Sequence, residues 1–252
     1  MADLDIAGLL GTALRAARAG ARVLEIGYGG ALAIGEKSGA ADLVTEVDLS
    51  AERAVRDVLG AERPRDEVTG EELPDQLHEL AEIRWSIDPL DGTTNFIRRI
   101  PYFGTSIGAQ ELATGRWVVG VVHAPALGRV YSAGAGLGAF VEEAGERRAL
   151  RGPTHGTTAR ILGTGVAYDP ATRDRQYRGL AGLMAGYNDM RAFGAAALGI
   201  CAVADGTIDG FVEADLGEYD WAGAAVIAEE AGLLVRRPTQ PGEEIRVTVP
   251  SA

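Results

Sequence analysis

The chain has one cysteine in 252 residues, and of its 24 lysines and arginines only Lys37 is a lysine. A single thiol, Cys201, excludes an intrachain disulfide framework; it lies in an apolar helical run and reads as core packing. The N-terminal stretch MADLDIAGLL begins acidic, with no basic region ahead of an apolar one, which argues against a secretory leader. No apolar run reaches the roughly 18 residues of a membrane span. Basic charge is scarce as well: the net charge is -12 and the isoelectric point about 4.8. Nucleic acid and anionic membrane need a basic footprint, so neither is expected as a partner. These absences predict a soluble, cytoplasmic protein that acts on a small molecule. There is no fixed-period repeat and no Ser/Pro-rich linker, so residues 1–252 read as one unit, with a lobe boundary expected near 145–157.

Periodicity places the elements. Ile6, Leu9, Leu10, Ala13, Ala17 and Leu24 recur at helical spacing, with Gly27, Gly29 and Gly30 as a stop. Ala51, Ala54, Val55, Val58 and Leu59 predict a second helix behind Ser50. Ile83, Trp85 and Ile87 alternate with polar residues as a strand does, which puts Asp88 at a strand tip. Strand patterns recur at 117–124, 129–133, 159–165, 190–194, 209–213 and 233–237, and the Gly-rich run 132–140 reads as turns between strands. Helical runs occupy 194–206 and 220–232. The first half therefore reads as helices on an antiparallel sheet and the second as layered α/β.

Three polar clusters stand out against this background. In DPLDGTTNF (88–96), Asp88 and Asp91 leave the strand on a tight turn that Gly92 can close, which aims both carboxylates at one point. Two like charges that close require a cation between them, and hard oxygen ligands suit Mg²⁺ better than Zn²⁺. An Asp-Gly turn with solvated acids is the plainer alternative for this motif taken alone. TGEEL (69–73) offers Glu71 and Glu72, or a polar loop. In EYDWAGAA (218–225), Asp220 opens an Ala-rich helix as a cap, a ligand or both.

Together these stretches, with EKSGAADLVTEVD (36–48) and GAAAL (194–198), resemble the inositol monophosphatase family of Mg²⁺-dependent, lithium-sensitive phosphatases. The resemblance implies an αβαβα sandwich, the fold shared with fructose-1,6-bisphosphatases, and a homodimer. It divides the unit into an α+β lobe (1–150) with most metal ligands and an α/β lobe (151–252) with the phosphate-binding helix and the last metal Asp. It implies two or three Mg²⁺ per site, the first held by Glu71, Asp88 and the Leu90 carbonyl, the second by Asp88, Asp91 and Asp220. Glu71 and Thr93 would orient and activate the attacking water, with Asp88 in the catalytic set. Gly92, Thr93, Gly194, Ala195 and Ala196 would cradle the phosphate, since a helix start of small residues lets an anion approach free N–H groups. Asp220 and Glu213 would contact the substrate, and Thr164 and Gly165 fall near another substrate-contacting loop. Lys37 and Asp42 match a mobile loop beside the metals, where Asp42 and Asp48 either assist a weaker third metal or order the loop.

The chain also departs from the family pattern. Tyr219 stands where a Trp is usual, and the tail after Arg236 is short and lacks a closing helix. Arg98 and Arg99, beside the metal loop, read a second anionic group or form a solvated turn. The implied activity is phosphomonoester hydrolysis of an inositol, cyclitol or sugar phosphate. The alternatives are histidinol phosphate, fructose 1,6-bisphosphate or a dinucleotide phosphate, or a non-enzymatic metal-binding role.

Overall fold

The computed structural model describes residues 4–30, 34–36, 43–154 and 159–250. Lys37 and Asp42 lie outside these residues. The elements run α1 (Ile6–Gly27), β1 (Ile34–Glu36), β2 (Leu43–Thr45), α2 (Glu46–Glu62), β3 (Glu67–Gly70), β4 (Ile83–Asp91), α3 (Thr93–Ile97), β5 (Gly104–Glu111), β6 (Arg116–Ala124), β7 (Arg129–Gly134), β8 (Gly138–Glu143) and β9 (Glu146–Ala149). They continue β10 (Ile161–Thr164), α4 (Pro170–Leu183), β11 (Asp189–Ala192), α5 (Ala196–Ala204), β12 (Gly210–Ala214), α6 (Glu218–Glu230), β13 (Leu234–Arg236) and β14 (Glu244–Thr248).

Strands β3 to β9 form a seven-stranded sheet in chain order, antiparallel except for the β3–β4 pair. The second sheet has the order β11-β10-β12-β14-β13, with β10 parallel to both of its neighbours. Leu9, Ala13, Ala17, Val55 and Leu59 seal α1 and α2 onto one face of the large sheet, against Trp85, Ile107, Val119 and Val121. Helices α5 and α6, apolar nearly all round, fill the space between the sheets against Tyr131 and Ala133 on one side and Phe211, Ile245 and Val247 on the other. Parallel crossovers are right-handed, so β10-α4-β11 and β11-α5-β12, running in opposite directions along the sheet, put their helices on opposite faces. Helix α4, with no buried residue, is therefore the outer layer. The result is the expected αβαβα sandwich.

Several details differ from the sequence reading. Helix α2 starts at Glu46, not behind Ser50. Thr45 caps it: the Thr45 hydroxyl accepts from Val47 N–H at 3.1 Å, and Asp48 reaches back to Thr45 N–H at 2.9 Å. Strand β5 carried no expectation, although it runs from Gly104 to Glu111 and is the strand against which β4 is registered. The chain after Arg236 contributes a strand, β14, with Ile245 and Val247 in the core.

Close backbone approach fixes α6 on the large sheet. A Cβ on Gly120 would run into the Gly223 carbonyl, and one on Gly223 into that of Ile107. Gly223, in the second turn of α6, therefore lets the helix lie directly on β5 and β6, which sets where Asp220, in the turn before, stands.

Candidate metal centre

The site assembles where the C-terminal end of β4 meets the first turns of α3, α5 and α6. In a regular strand, residues three apart point to opposite faces. Asp88 pairs with Ser106 and Asp91 with Gly104, so β4 spends three residues where β5 spends two. This bulge, not a turn beyond the strand, swings both carboxylates to one side. Pro89, which has no N–H to give to the ladder, sits in the bulge, and its carbonyl accepts from Thr105 Oγ1 at 2.9 Å. Leu90 N–H donates to Asp88 Oδ1 at 3.0 Å. Gly92 then turns the chain at φ 94°, and a Cβ there would lie 3.0 Å from the Tyr102 carbonyl oxygen and 3.2 Å from the Ala195 Cβ. Below, Phe96, Phe103 and Tyr28 pack ring to ring with Leu90, anchoring the loop from the core side.

Asp220 arrives from the other side. It is the third residue of α6 rather than its cap, and its Oδ2 accepts from Gly217 N–H at 2.6 Å. Asp88, Asp91 and Asp220 each offer an oxygen within 4.8 Å of the other two. Among the described residues this is the one place where three such ligand atoms converge. Glu71 is outside this trio, but its charge reaches it. Burial, first, and then the negative charge of Glu71 push Asp91 up to about 7, against the opposing hydrogen bonds from α5. Asp220 is pushed well above the usual carboxylate range by burial, then by Glu71 and Asp91. As a whole residue Asp220 remains partly exposed, so its carboxyl is the enclosed part. Glu71 itself is docked on β4 through its N–H, which donates to the Ile87 carbonyl at 3.1 Å.

The donor set fits a hard cation. It is all oxygen, crowded and raised in pKa, so it is stabilised by positive charge. Ser106, paired with Asp88 across the ladder and fully buried, has a hydroxyl with no hydrogen-bond partner.

Thr93, the first residue of α3, lies against Asp48. Its hydroxyl is 3.0 Å from Asp48 Oδ1 and 3.2 Å from the Leu90 carbonyl oxygen. Both neighbours are acceptors, so the hydroxyl proton points to one of them and an Oγ1 lone pair is left for another donor. Asp48 is wholly buried. Burial raises its pKa, against the hydrogen bonds from Thr45 and Thr93. The sequence reading gave Asp48 a metal or loop role; the structure makes it the acceptor for Thr93 and the capping-box partner of Thr45.

The expected phosphate cradle is partly occupied. Ala196 N–H donates to Asp91 Oδ1 at 2.9 Å and Leu198 N–H to Asp91 Oδ2 at 3.3 Å, so Asp91 caps α5. Gly194 and Ala195 precede those amides, and Asn95, to which no role was given, fixes them. Its Nδ2 donates to the Tyr102 and Phe193 carbonyls, each at 2.7 Å. Glu213, on β12, lies against Gly165, where a Cβ would run into its carboxylate. Burial, then the charge of Asp91, pushes Glu213 up to about 8. Thr164 is buried, with its hydroxyl on the Val212 carbonyl at 2.7 Å. Tyr168 OH stands 3.4 Å from Thr94 Oγ1 across the opening. Arg98 and Arg99 are exposed, and Arg99 donates to the Gly29 carbonyl at 3.1 Å. Trp221 packs edge-on to Trp117 in the core, and Cys201 is buried in α5, so neither faces the site.

Comparison with known proteins identifies the family and the fold. Inositol-1-monophosphatase of Mycobacterium leprae is 38% identical over 86% of this chain and 76% of its own length. The Nus factor SuhB of Escherichia coli K12 is 35% identical over 90% of this chain and 84% of its own. Among solved structures, the extragenic suppressor protein suhB of Bartonella henselae superposes with a TM-score of 0.85 at 30% identity, over 96% of this chain and 94% of that one. The sequence model of the inositol monophosphatase family matches residues 5–251, and the chain belongs to that family.

Proposed function

We propose that the chain is a Mg²⁺-dependent phosphomonoesterase acting on an inositol phosphate or a related cyclitol or sugar phosphate. The observation that carries this reading is the convergence of Asp88, Asp91 and Asp220, aligned by the β4 bulge, beside a threonine hydroxyl oriented by a buried carboxylate. Glu71, Asp88 and the Leu90 carbonyl would hold one Mg²⁺, and Asp88, Asp91 and Asp220 a second. Bound there, Mg²⁺ supplies charge neutralisation on the phosphoryl group and the departing ester oxygen, and eases deprotonation of water.

The protein's own groups do the rest by positioning. Thr93 Oγ1 accepts a proton from the attacking water while its own passes to Asp48 Oδ1, and Glu71 helps orient the water. The segment Gly194–Ala195, fixed by Asn95, places backbone N–H groups toward the phosphate together with Gly92 and Thr93. Asp91 sits on the first turn of α5, so cation and anion are held on one helix start. Glu213, at the far side, would take the substrate's hydroxyls. Its raised pKa keeps a proton available for donation near neutral pH. A homodimer, lithium inhibition and a cytoplasmic location belong to the same reading.

The relatives named Nus factor SuhB suggest a second, non-catalytic role. With a net charge of -12, such a role here would run through protein contacts rather than direct nucleic-acid binding.

The test is phosphate release from a panel of inositol, aminocyclitol, sugar, histidinol and dinucleotide phosphates and fructose 1,6-bisphosphate, with and without Mg²⁺. Mg²⁺-dependent release from a cyclitol or sugar phosphate supports the reading. Preference for another member moves the substrate class, and a folded protein that releases phosphate from none of them at any Mg²⁺ concentration refutes the catalytic reading.

A further inference from the structure

We propose that Glu52 and Arg56, buried in the middle of α2, are positioning residues that fix Glu71 and thereby set the affinity of the acidic site for its cation. This rests on the functional reading above. Glu52 is fully buried and Arg56 nearly so, and they form an ion pair one helical turn apart with N to O at 2.7 Å. Burying such a pair is unfavourable unless its remaining hydrogen-bonding capacity is met. Here the partner is one short stretch of backbone. Glu52 Oε2 accepts from Glu72 N–H at 2.8 Å, while Arg56 donates to the Leu73 carbonyl at 3.1 Å and the Pro74 carbonyl at 3.0 Å.

That stretch joins β3 to β4 and includes Glu71. Residues 71–73 form bends with no ladder of their own, so their place depends on what ties them down. Among their ties are the Glu71 N–H bond to Ile87 on one side and the Glu52–Arg56 pair on the other. Gly70 tightens the fit, because a Cβ there would run into the Glu52 carboxylate. A pair that only stabilised α2 would not need to face this loop. Each of its hydrogen bonds beyond the helix falls on the three residues that follow Glu71.

The experiment is Mn²⁺ binding, read by electron paramagnetic resonance on the full chain, with thermal melting alongside. Three variants are compared with wild type: Glu52→Gln, Gly70→Ala, and the double Glu52→Met, Arg56→Met. Partners that orient metal ligands typically contribute about 10- to 100-fold in affinity. We expect Glu52→Gln and Gly70→Ala to weaken Mn²⁺ binding at least about tenfold. The double apolar variant should recover melting temperature, since well-packed apolar side chains replace buried ion pairs without loss, and still bind Mn²⁺ weakly. That split is what a purely structural pair would not give. Wild-type Mn²⁺ affinity in the folded double variant, or in Gly70→Ala if the double does not fold, overturns the inference. If wild type releases phosphate and binds Mn²⁺ while the variants match it, only the positioning role falls. If wild type does neither, the functional reading falls as well.

Discussion

Asp91→Asn should make the metal-free protein more stable and the enzyme far less active. Asp91 is pushed up to about 7 chiefly by burial, from an unfolded value near 3.9. A carboxylate whose folded pKa is raised supports folding fully below its unfolded pKa and loses that support as pH rises through the folded one. Ionised at pH 8, it opposes folding by about 4 kcal/mol, whereas at pH 5 the figure is about 1–2 kcal/mol. Asparagine keeps the shape and one acceptor oxygen for Ala196 N–H. It sets its NH₂ against Leu198 N–H, which loses a charged hydrogen bond of about 2 kcal/mol. The net expectation is a gain of roughly 1–3 kcal/mol at pH 8 that largely disappears at pH 5. For a chain of this length that is a melting shift of several degrees. Adding Mg²⁺ should reverse the order, because the wild type gains linked binding energy that the variant lacks. Turnover should fall at least about a hundredfold. Scanning calorimetry at both pH values, with and without Mg²⁺, reads all of this. A metal-free variant less stable than wild type at pH 8, or an advantage that does not change with pH, refutes the electrostatic account of the site.

Two other perturbations test neighbouring claims. Thr93→Val keeps shape and removes the hydroxyl, and Asp48→Asn turns an acceptor into a donor facing Thr93 while remaining a serviceable partner for Thr45. Both should lower kcat by about 10² to 10⁴ with Mg²⁺ affinity near wild type, the scale of a lost proton-transfer group; undiminished turnover in either removes the relay. His123 tests burial on the other face of the large sheet. Its Nδ1 is buried without a partner, and burial followed by the positive charge of Arg18 lowers its pKa to about 4. A depressed histidine disfavours folding as pH falls below its unfolded value near 6.5, so urea titrations should show wild type losing about 2 kcal/mol relative to His123→Gln between pH 7 and pH 5. Parallel pH dependence in the two would mean that this imidazole is solvated.

What could be read from the sequence follows from where the information lies. The core-facing rows of α1 and β4 are local patterns, and the periods of 3.6 and 2 expose them. The acidic trio lies in short motifs, and it was their resemblance to a known family, not their spacing, that brought Asp220 together with Asp88 and Asp91. How they become neighbours could not be read this way. Whether Asp88 and Asp91 share a face depends on the pairing of β4 with β5, and β5, a run of small residues behind Gly104, gave no clear strand signal. Asp48 was seen, but its contact with Thr93 spans 45 residues of chain and appears only after α2 docks. Ser106, Asn95, Glu52 and Arg56 are ordinary residues in strand or helix patterns. Their distinguishing features are burial and partners, which a linear pattern does not encode. A signal for α2's true start was present in the pair Thr45 and Asp48, spaced as a capping box, and the apolar period drew attention past it.

The site also shows why such an acidic centre can exist in a folded chain. Three carboxylates within 4.8 Å of one another oppose folding before a cation arrives, and the surrounding structure must hold them there. It does so with groups that leave the carboxylates little freedom to separate. Asp91 is held by the first amides of α5, Asp220 by the Gly217 amide at the start of α6, and Asp88 by the Leu90 amide inside the bulge. Helix starts are electropositive, so the same amides that fix Asp91 and Asp220 also offset part of their repulsion. The remainder of the repulsion is retained, and it appears as the raised pKa values of Asp91 and Asp220. A cation entering this centre would meet carboxylates already held in place by these amides. The stability that the fold gives up to this repulsion is the electrostatic energy that a bound cation would recover.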